Sequence, residues 1–375
     1  MIESGVAAAP FDYGPRYQPD TATAEPSSPR PRVKKRHRGE ESPAENFTRA
    51  PLMGPLQIVV SIARQRVVLF HDGKPVAEGR VSTGVAEHPT PMGVFSVISK
   101  ARYHESNIYS GAPMPFMHRI TWSGIALHEG QLPGHPASHG CIRLSSDFAQ
   151  KLFRVTKVGA EVIITRDAVA PVEMPGLKLF VPREAEPLRN DPALEGQIAS
   201  AEKLPGTSEL SALSDTTSPA PATSGAAKNT PAVQVLVSRK EGKLYVRQGF
   251  VPLFDMPVKI AAPEKPWGTH VFTAMDKTGD DFRWTAISVP SGFVSEPDRR
   301  KGRKISAKET ERLELRKFEL SHPASAETAL TLFEMPDDAV ARIAPLLKPG
   351  SALIVTDNAL SDETGLDTGF VVETR

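Results

Sequence analysis

Cysteine is almost absent from this 375-residue chain: Cys141 is the only one. A single thiol cannot close an intramolecular disulfide, so the sulfur is either a small buried apolar group or a group with chemistry to do. Aromatic residues are scarce at 6%, whereas proline is abundant with 35 residues. That balance makes the packed portion smaller than the whole chain and leaves the rest to linker or tail. An excess of one charge is also lacking: 45 Lys and Arg face 44 Asp and Glu. There is no basic field to gather nucleic acid, so no nucleic-acid partner is expected. No apolar run reaches the roughly eighteen residues of a transmembrane helix. The stretch from Met1 to Pro51 shows no signal peptide, having neither an apolar core nor a small-residue cleavage site.

What is present divides the chain into four parts. Residues 1–53 repeat Pro, Ser, Glu and Ala around a basic run, Arg32-Val33-Lys34-Lys35-Arg36-His37-Arg38, and read as a disordered tail. From Leu56 the texture changes to β-branched runs, Gln57-Ile58-Val59-Val60-Ser61-Ile62 and Gln65-Arg66-Val67-Val68-Leu69-Phe70, with an Asp72-Gly73 hairpin signal after them. Residues 103–119 are irregular and rich in Gly, Pro and Ser, which predicts either a functional flap or disorder. Ile125-Ala126-Leu127 predicts a short buried strand running into His128, and Ser145-Ser146-Asp147 predicts the cap of a helix through Val155. Residues 54–170 thus read as one mainly β (α+β) domain, 171–231 as a low-complexity linker and 232–375 as a second domain.

The second domain echoes the first. Gln57-Ile58-Val59-Val60-Ser61 returns as Gln234-Val235-Leu236-Val237-Ser238, and Gly159-Ala160-Glu161-Val162-Ile163-Ile164-Thr165 as Gly350-Ser351-Ala352-Leu353-Ile354-Val355-Thr356. An ancestral duplication is the reading. Sliding the Gly350 strand onto Gly159 sets Leu332 over Cys141 and Asp338 over Asp147. In that register Thr331-Leu332-Phe333-Glu334 stands where the first domain has Gly140-Cys141-Ile142-Arg143. Losing His139, Gly140, Cys141 and Arg143 together looks like the loss of a site, not of a packing residue.

Around Cys141 the parts of an acyl-transfer site cluster in sequence. A thiol is a weak nucleophile until it ionises, which an imidazole and helix-terminal amides promote. His128 ends an apolar run, His139 lies two residues before the thiol, and a helix starts just after it. Gly140 permits close backbone approach to an acyl group, and Arg143 offers a planar fork for a carboxylate. Plainer readings stand beside these. His128 and His139 could be satisfied structural histidines, and Arg143 could pair with Asp147. His104, His118, His128, His135, His139 and Cys141 match no common zinc-ligand spacing, so neither a metal nor another cofactor is expected.

Leu127-His128-Glu129-Gly130 followed by Ala137-Ser138-His139-Gly140-Cys141-Ile142-Arg143-Leu144 closely resembles the signature of the L,D-transpeptidase (YkuD-type) catalytic domain. The resemblance covers roughly residues 56–167. It implies a mainly β fold, a YkuD-like β-sandwich catalytic domain, with the second, diverged β-rich copy degenerate and non-catalytic. By position it makes Cys141 the nucleophile and His128 the general base. Ser138, His139 and Gly140 become the loop shaping the oxyanion site, and Arg143 a substrate-side contact. The interval from His128 to Ser138 is shorter than in many members, which keeps His139 as the rival base. Tyr103, His118 and Trp122 are further candidate substrate contacts. The implied substrate is a peptidoglycan tetrapeptide stem. Its acyl group would pass from a Cys141 thioester to a second stem amine (a 3-3 cross-link), to water, or to an envelope protein, in the periplasm or cell envelope. The reading from a different class is a non-catalytic envelope-binding protein.

Overall fold

The Asp72-Gly73 pair has positive φ at both residues, 51° and 73°, which is the backbone of a type I′ turn and joins two strands with matching twist. Antiparallel hairpins open both halves of the chain, over residues 56–82 in the first and 233–257 in the second. The computed structural model describes residues 52, 54–106, 111–181, 230–279, 281–289, 324–365 and 367–374. The expected N-terminal tail up to residue 51, the linker from 182 to 229 and the charged segment from Glu296 to Lys317 lie outside the described residues.

The first half contains β1 (Leu56–Ser61), β2 (Arg66–His71), β3 (Lys74–Ser82), β4 (Gly93–Ser96), β5 (Ser99–Ala101), β6 (Met117–Arg119), β7 (Ala126–Glu129) and β8 (Ile142–Leu144). Helix α1 (Ser146–Val155), β9 (Glu161–Thr165) and β10 (Val172–Glu173) follow. The second half contains β11 (Val233–Ser238), β12 (Lys243–Gln248), β13 (Val251–Pro257), β14 (Lys259–Ile260), β15 (Thr269–Thr278) and β16 (Asp281–Val289). It closes with α2 (Ala326–Thr331), β17 (Phe333–Glu334), α3 (Asp337–Ile343), β18 (Ala352–Thr356) and β19 (Val372–Glu373). The fold is mostly β, as the sequence predicts.

Two large sheets form, in the orders β19-β4-β9-β1-β2-β3-β8-β7-β6-β5 and β10-β16-β15-β18-β11-β12-β13, with β14 and β17 as a separate pair. Their central strands read as unbroken apolar runs because both faces are covered. Ile58 and Val60 of β1 and Val162 and Ile164 of β9 point into the core of the first half, while Val59 and Ile163 point the other way. There they meet Leu236 and Ile354 of the second sheet, whose neighbours Val235, Val237, Leu353 and Val355 face that sheet's own core. The period of two therefore builds three apolar layers, the middle one joining the halves. At about 1.5–3 kcal/mol for each fully buried aliphatic side chain, that middle layer holds the halves as one body.

Edge strands cross between the halves, and this corrects the expected boundaries. Residues 171–181 do not belong to a linker: β10 pairs with β16, and Met174 and Phe180 enter the second core. The C-terminal β19 pairs antiparallel with β4 of the first sheet, and Val371 lies in the first half's core. Each exchange covers an otherwise open sheet edge. A two-residue strand in a Pro- and Gly-rich context carries no alternation by which the sequence could announce it.

Candidate active site

Strand parity assembles the site. β7 and β8 run parallel, with Leu127 beside Ile142 and His128 beside Arg143. Leu127, Ile142 and Leu144 fill the core, so the alternate residues Ala126, His128, Cys141 and Arg143 share the opposite face. That face floors a cavity of about 340 Å³ lined by His128, Ser138, His139, Cys141 and Arg143. Met117 and Arg119 from β6, the turn Ser123-Gly124-Ile125, and His104, Ser106, Ala112, Pro113 and Met114 from the flap complete it. A ladder of backbone bonds, Phe116 to Arg102, Met114 to His104 and Ser106 to Ala112, makes the described part of the flap a hairpin.

The loop before the thiol is fixed by a buried hydroxyl. Ser138 Oγ accepts from the Gly140 N–H at 3.2 Å and donates to the Cys141 carbonyl. Ser138 thus braces the turn, and the Gly140 N–H is already engaged. Of the loop expected to shape the oxyanion site, the Gly140 amide is therefore spent inside the turn. From the other side Thr90 Oγ1 donates to the Gly140 carbonyl and accepts from the Gly84 N–H, both at 2.8 Å, and Val85 N–H donates to the Ser138 carbonyl at 2.9 Å. Gly140 sits at φ 108°, and a Cβ there would lie 2.6 Å from Ile125 Cδ1, so no other residue fits without displacement.

His128 is buried, and its Nδ1 lies 2.7 Å from the Glu129 carbonyl oxygen. A carbonyl only accepts, so Nδ1 carries the proton and Nε2 of the neutral ring is a base. Burial, followed by the Arg143 charge, lowers the His128 pKa against the opposing Glu129 hydrogen bond. Burial raises the Cys141 thiol, opposed by a bond from the Ala126 backbone and by the charges of Arg143 and Arg119. At neutral pH these directions favour a neutral thiol and a neutral imidazole. The thiol lies 3.7 Å from the Gly124 carbonyl oxygen.

The remaining sequence candidates separate. His139 is exposed, lines the cavity and meets His88 with ring centroids 4.9 Å apart and planes tilted by 43°. Tyr103 is exposed and bonds Glu105 at 2.7 Å, outside the cavity lining. Trp122 is exposed beside the lining residue Ser123. His118 lies on the far side of β6: fully buried, it contacts Thr156 Oγ1 at 2.8 Å and the Phe116 carbonyl at 3.0 Å. Its pKa falls to about 4, first through burial and then through the Lys100 charge. It is a core histidine and does not line the cavity, correcting its expected substrate contact. Asp147 pairs with Lys151 at 2.8 Å along α1. Among the described residues no cluster of three or more His, Cys, Asp or Glu is placed to hold a metal. Sequence reasoning missed Thr90, Arg119 and the Gly124 turn, whose roles arise only from the fold.

A family profile of the L,D-transpeptidase catalytic domain (YkuD) matches residues 55–164, the stretch that carries β1 to β9. The candidate L,D-transpeptidase YqjB of Bacillus subtilis (strain 168) is 31% identical over 134 residues, covering 31% of this chain and 75% of that protein. L,D-transpeptidase 1 of Mycobacterium tuberculosis (strain H37Rv) is 30% identical over 117 residues, covering 27% of this chain and 47% of its own length. A solved L,D-transpeptidase from Mycobacterium tuberculosis H37Rv is 28% identical with a TM-score of 0.29, covering 30% of this chain and 58% of that one. The fold is that of an L,D-transpeptidase-type domain. The chain belongs to the YkuD family of L,D-transpeptidases, which are acyltransferases. No described helix is long and apolar enough to cross a membrane.

Proposed function

We propose that the protein is a peptidoglycan L,D-transpeptidase in which Cys141 is the nucleophile and His128 its base. The observation that carries this reading is the shared cavity-facing side of β7 and β8, which brings Cys141, His128 and Arg143 together. His128 Nε2 takes the thiol proton as sulfur attacks the carbonyl between diaminopimelate and the terminal D-alanine of a tetrapeptide stem. A C–S bond forms and the carbonyl becomes a tetrahedral oxyanion. As the C–N bond breaks, the imidazolium returns the proton to the departing amine of D-alanine, leaving a thioester. The side-chain amine of a second stem then attacks, His128 accepts its proton, and the thiol is restored with a 3-3 link made. Arg143, beside the thiol, favours the thiolate and is suited to hold a stem carboxylate.

His128 is preferred as base over the rival His139 because its Nδ1 is committed to the Glu129 carbonyl and, beside Arg143 on β7, it shares the buried cavity floor with Cys141. Incubation with purified disaccharide-tetrapeptide tests the reading: D-alanine and cross-linked dimers are expected, and Cys141→Ala yields neither. Mass analysis of the products separates transfer to a stem from transfer to water or to a protein lysine. This activity implies action in the cell envelope.

The second half is, on this reading, a diverged copy without the chemistry. Its registers run in step with the first half: Gln57 beside Glu161 and Gln234 beside Ala352, Ser82 beside Arg143 and Lys259 beside Glu334. In that register Leu332 occupies the position of Cys141 and packs in the core.

A further inference from the structure

The wall of the cavity next to the thiol is the turn from Thr121 to Gly124. Part of it is self-supported: Gly124 N–H donates to the Thr121 carbonyl at 3.3 Å, and Ile125 N–H donates to Thr121 Oγ1 at 2.9 Å. The two amides between them are taken by one carboxylate. Trp122 N–H donates to Glu363 Oε2 at 2.6 Å and Ser123 N–H to Glu363 Oε1 at 3.1 Å. Two adjacent charge-assisted bonds, one to each oxygen, add to the hold of the paired strands β6 and β7 on either side and fix the tilt of the turn that joins them.

Glu363 belongs to the C-terminal segment, which is anchored in both halves. Arg247 of β12, only 8% exposed, donates to the carbonyls of Gly365 at 2.7 Å and Thr368 at 2.8 Å. Val371 is buried in the first core, and β19 pairs with β4. The carboxylate is thus a fixed point and the turn is what it holds. The next residue of that turn, Gly124, presents its carbonyl oxygen 3.7 Å from Cys141 Sγ.

We propose that Glu363 is a positioning residue for Cys141: it clamps the Trp122-Ser123 amides so that the Gly124 carbonyl and the cavity wall keep their place at the thiol. The second half of the chain thereby completes the site in the first. The proposal rests on Cys141 being the reactive group of the preceding section. A carbonyl accepting from S–H favours the protonated thiol, so releasing the turn lowers the thiol's ionisation midpoint while loosening the geometry for acylation.

Because Cys141 is the only cysteine, its alkylation by iodoacetamide as a function of pH reports its ionisation in the full chain without reference to any substrate. The second probe is imipenem, which is bound in a solved structure of the relative LdtMt1. Glu363→Ala is expected to move the alkylation midpoint down by about half a unit or more and to slow acylation by imipenem ~10-fold or more. Glu363→Gln, which keeps one acceptor oxygen, falls between, and serves alone if the alanine variant does not fold. Asp362→Asn, an exposed neighbouring charge, matches the wild type in both assays. An unchanged midpoint in Glu363→Gln and Glu363→Ala overturns the proposal, whether both reactions keep wild-type rates or slow equally, since equal slowing marks general destabilisation. Should wild-type Cys141 alkylate but resist imipenem, the acyl-transfer reading is weakened while the alkylation profiles still decide the role of Glu363.

Discussion

The imidazole Nδ1 of His128 and the carbonyl oxygen of its own neighbour Glu129 are 2.7 Å apart, and this one contact sets the proton inventory of the site. It commits the ring to the tautomer whose Nε2 accepts. Burial then holds the imidazole below its ordinary value of 6.5 and the thiol above its ordinary 9.0.

A bell-shaped pH profile follows for kcat/KM of D-alanine release. The productive state carries one proton shared by the pair, and it is lost when His128 is protonated below its lowered pKa or when the pair gives up its last proton above the raised thiol value. The acid limb is expected below 6.5 and the alkaline limb above 9.0. An acid limb above 6.5 would contradict the neutral resting pair.

Gly140 is required on two counts that one double variant separates. Gly140→Ala meets both the positive φ of 108° and the contact of 2.6 Å with Ile125 Cδ1. Destabilisation of about 1–3 kcal/mol is expected, with loss of transfer activity. Adding Ile125→Val removes the clashing methyl but not the φ strain, so about half the loss returns in thermal melts. Complete recovery would show that backbone conformation is unimportant here.

Glu161 gives a pH-dependent stability. It accepts from Gln57 Nε2 at 2.6 Å, yet burial outweighs that bond and raises its pKa from 4.5 to about 7. Because the folded value lies above the unfolded one, its contribution is fully present below 4.5 and is lost as pH rises through 7. The full swing is about 3 kcal/mol. Glu161→Gln is expected to melt higher than the wild type at pH 8 and to flatten this slope. Parallel wild-type and variant curves between pH 4.5 and 8 would contradict the assignment.

The first half is not expected to stand alone. Ending the chain at residue 360 deletes buried Phe370, Val371 and Val372 and opens the β4 edge, a loss of about 5 kcal/mol. Removing everything from 231 also bares Val59, Phe70 and Ile163. Near-UV circular dichroism should show lost tertiary packing in both truncations. A cooperative melt within a few degrees of the wild type in either would contradict the three-layer account.

Much of this was legible in the residues. The runs Ile58-Val59-Val60 and Val162-Ile163-Ile164 announced strands and the Asp72-Gly73 turn announced a hairpin, while the covering of those strands on both faces emerged only with the fold. The thiol loop was equally plain, because its parts lie within a few positions of one another. What stayed hidden depends on parity or on distance. His118 looked like a flap residue, but on β6 the alternation sends Met117 and Arg119 to the cavity and His118 to the core. Ser138 looked like an oxyanion-loop residue, yet its hydroxyl is spent holding the turn. Two-residue strands have no period to read. Glu363 meets Ser123 from 240 positions away, a contact that no local pattern encodes.

The most direct measurement is the intact mass of the protein after brief exposure to a purified disaccharide-tetrapeptide. The wild type is predicted to gain the donor's mass less D-alanine, on the peptide containing Cys141, with the adduct absent from Cys141→Ala and strongly reduced in His128→Ala. D-alanine release by Cys141→Ala at the wild-type rate, or an adduct mapped to any other residue, would contradict the account.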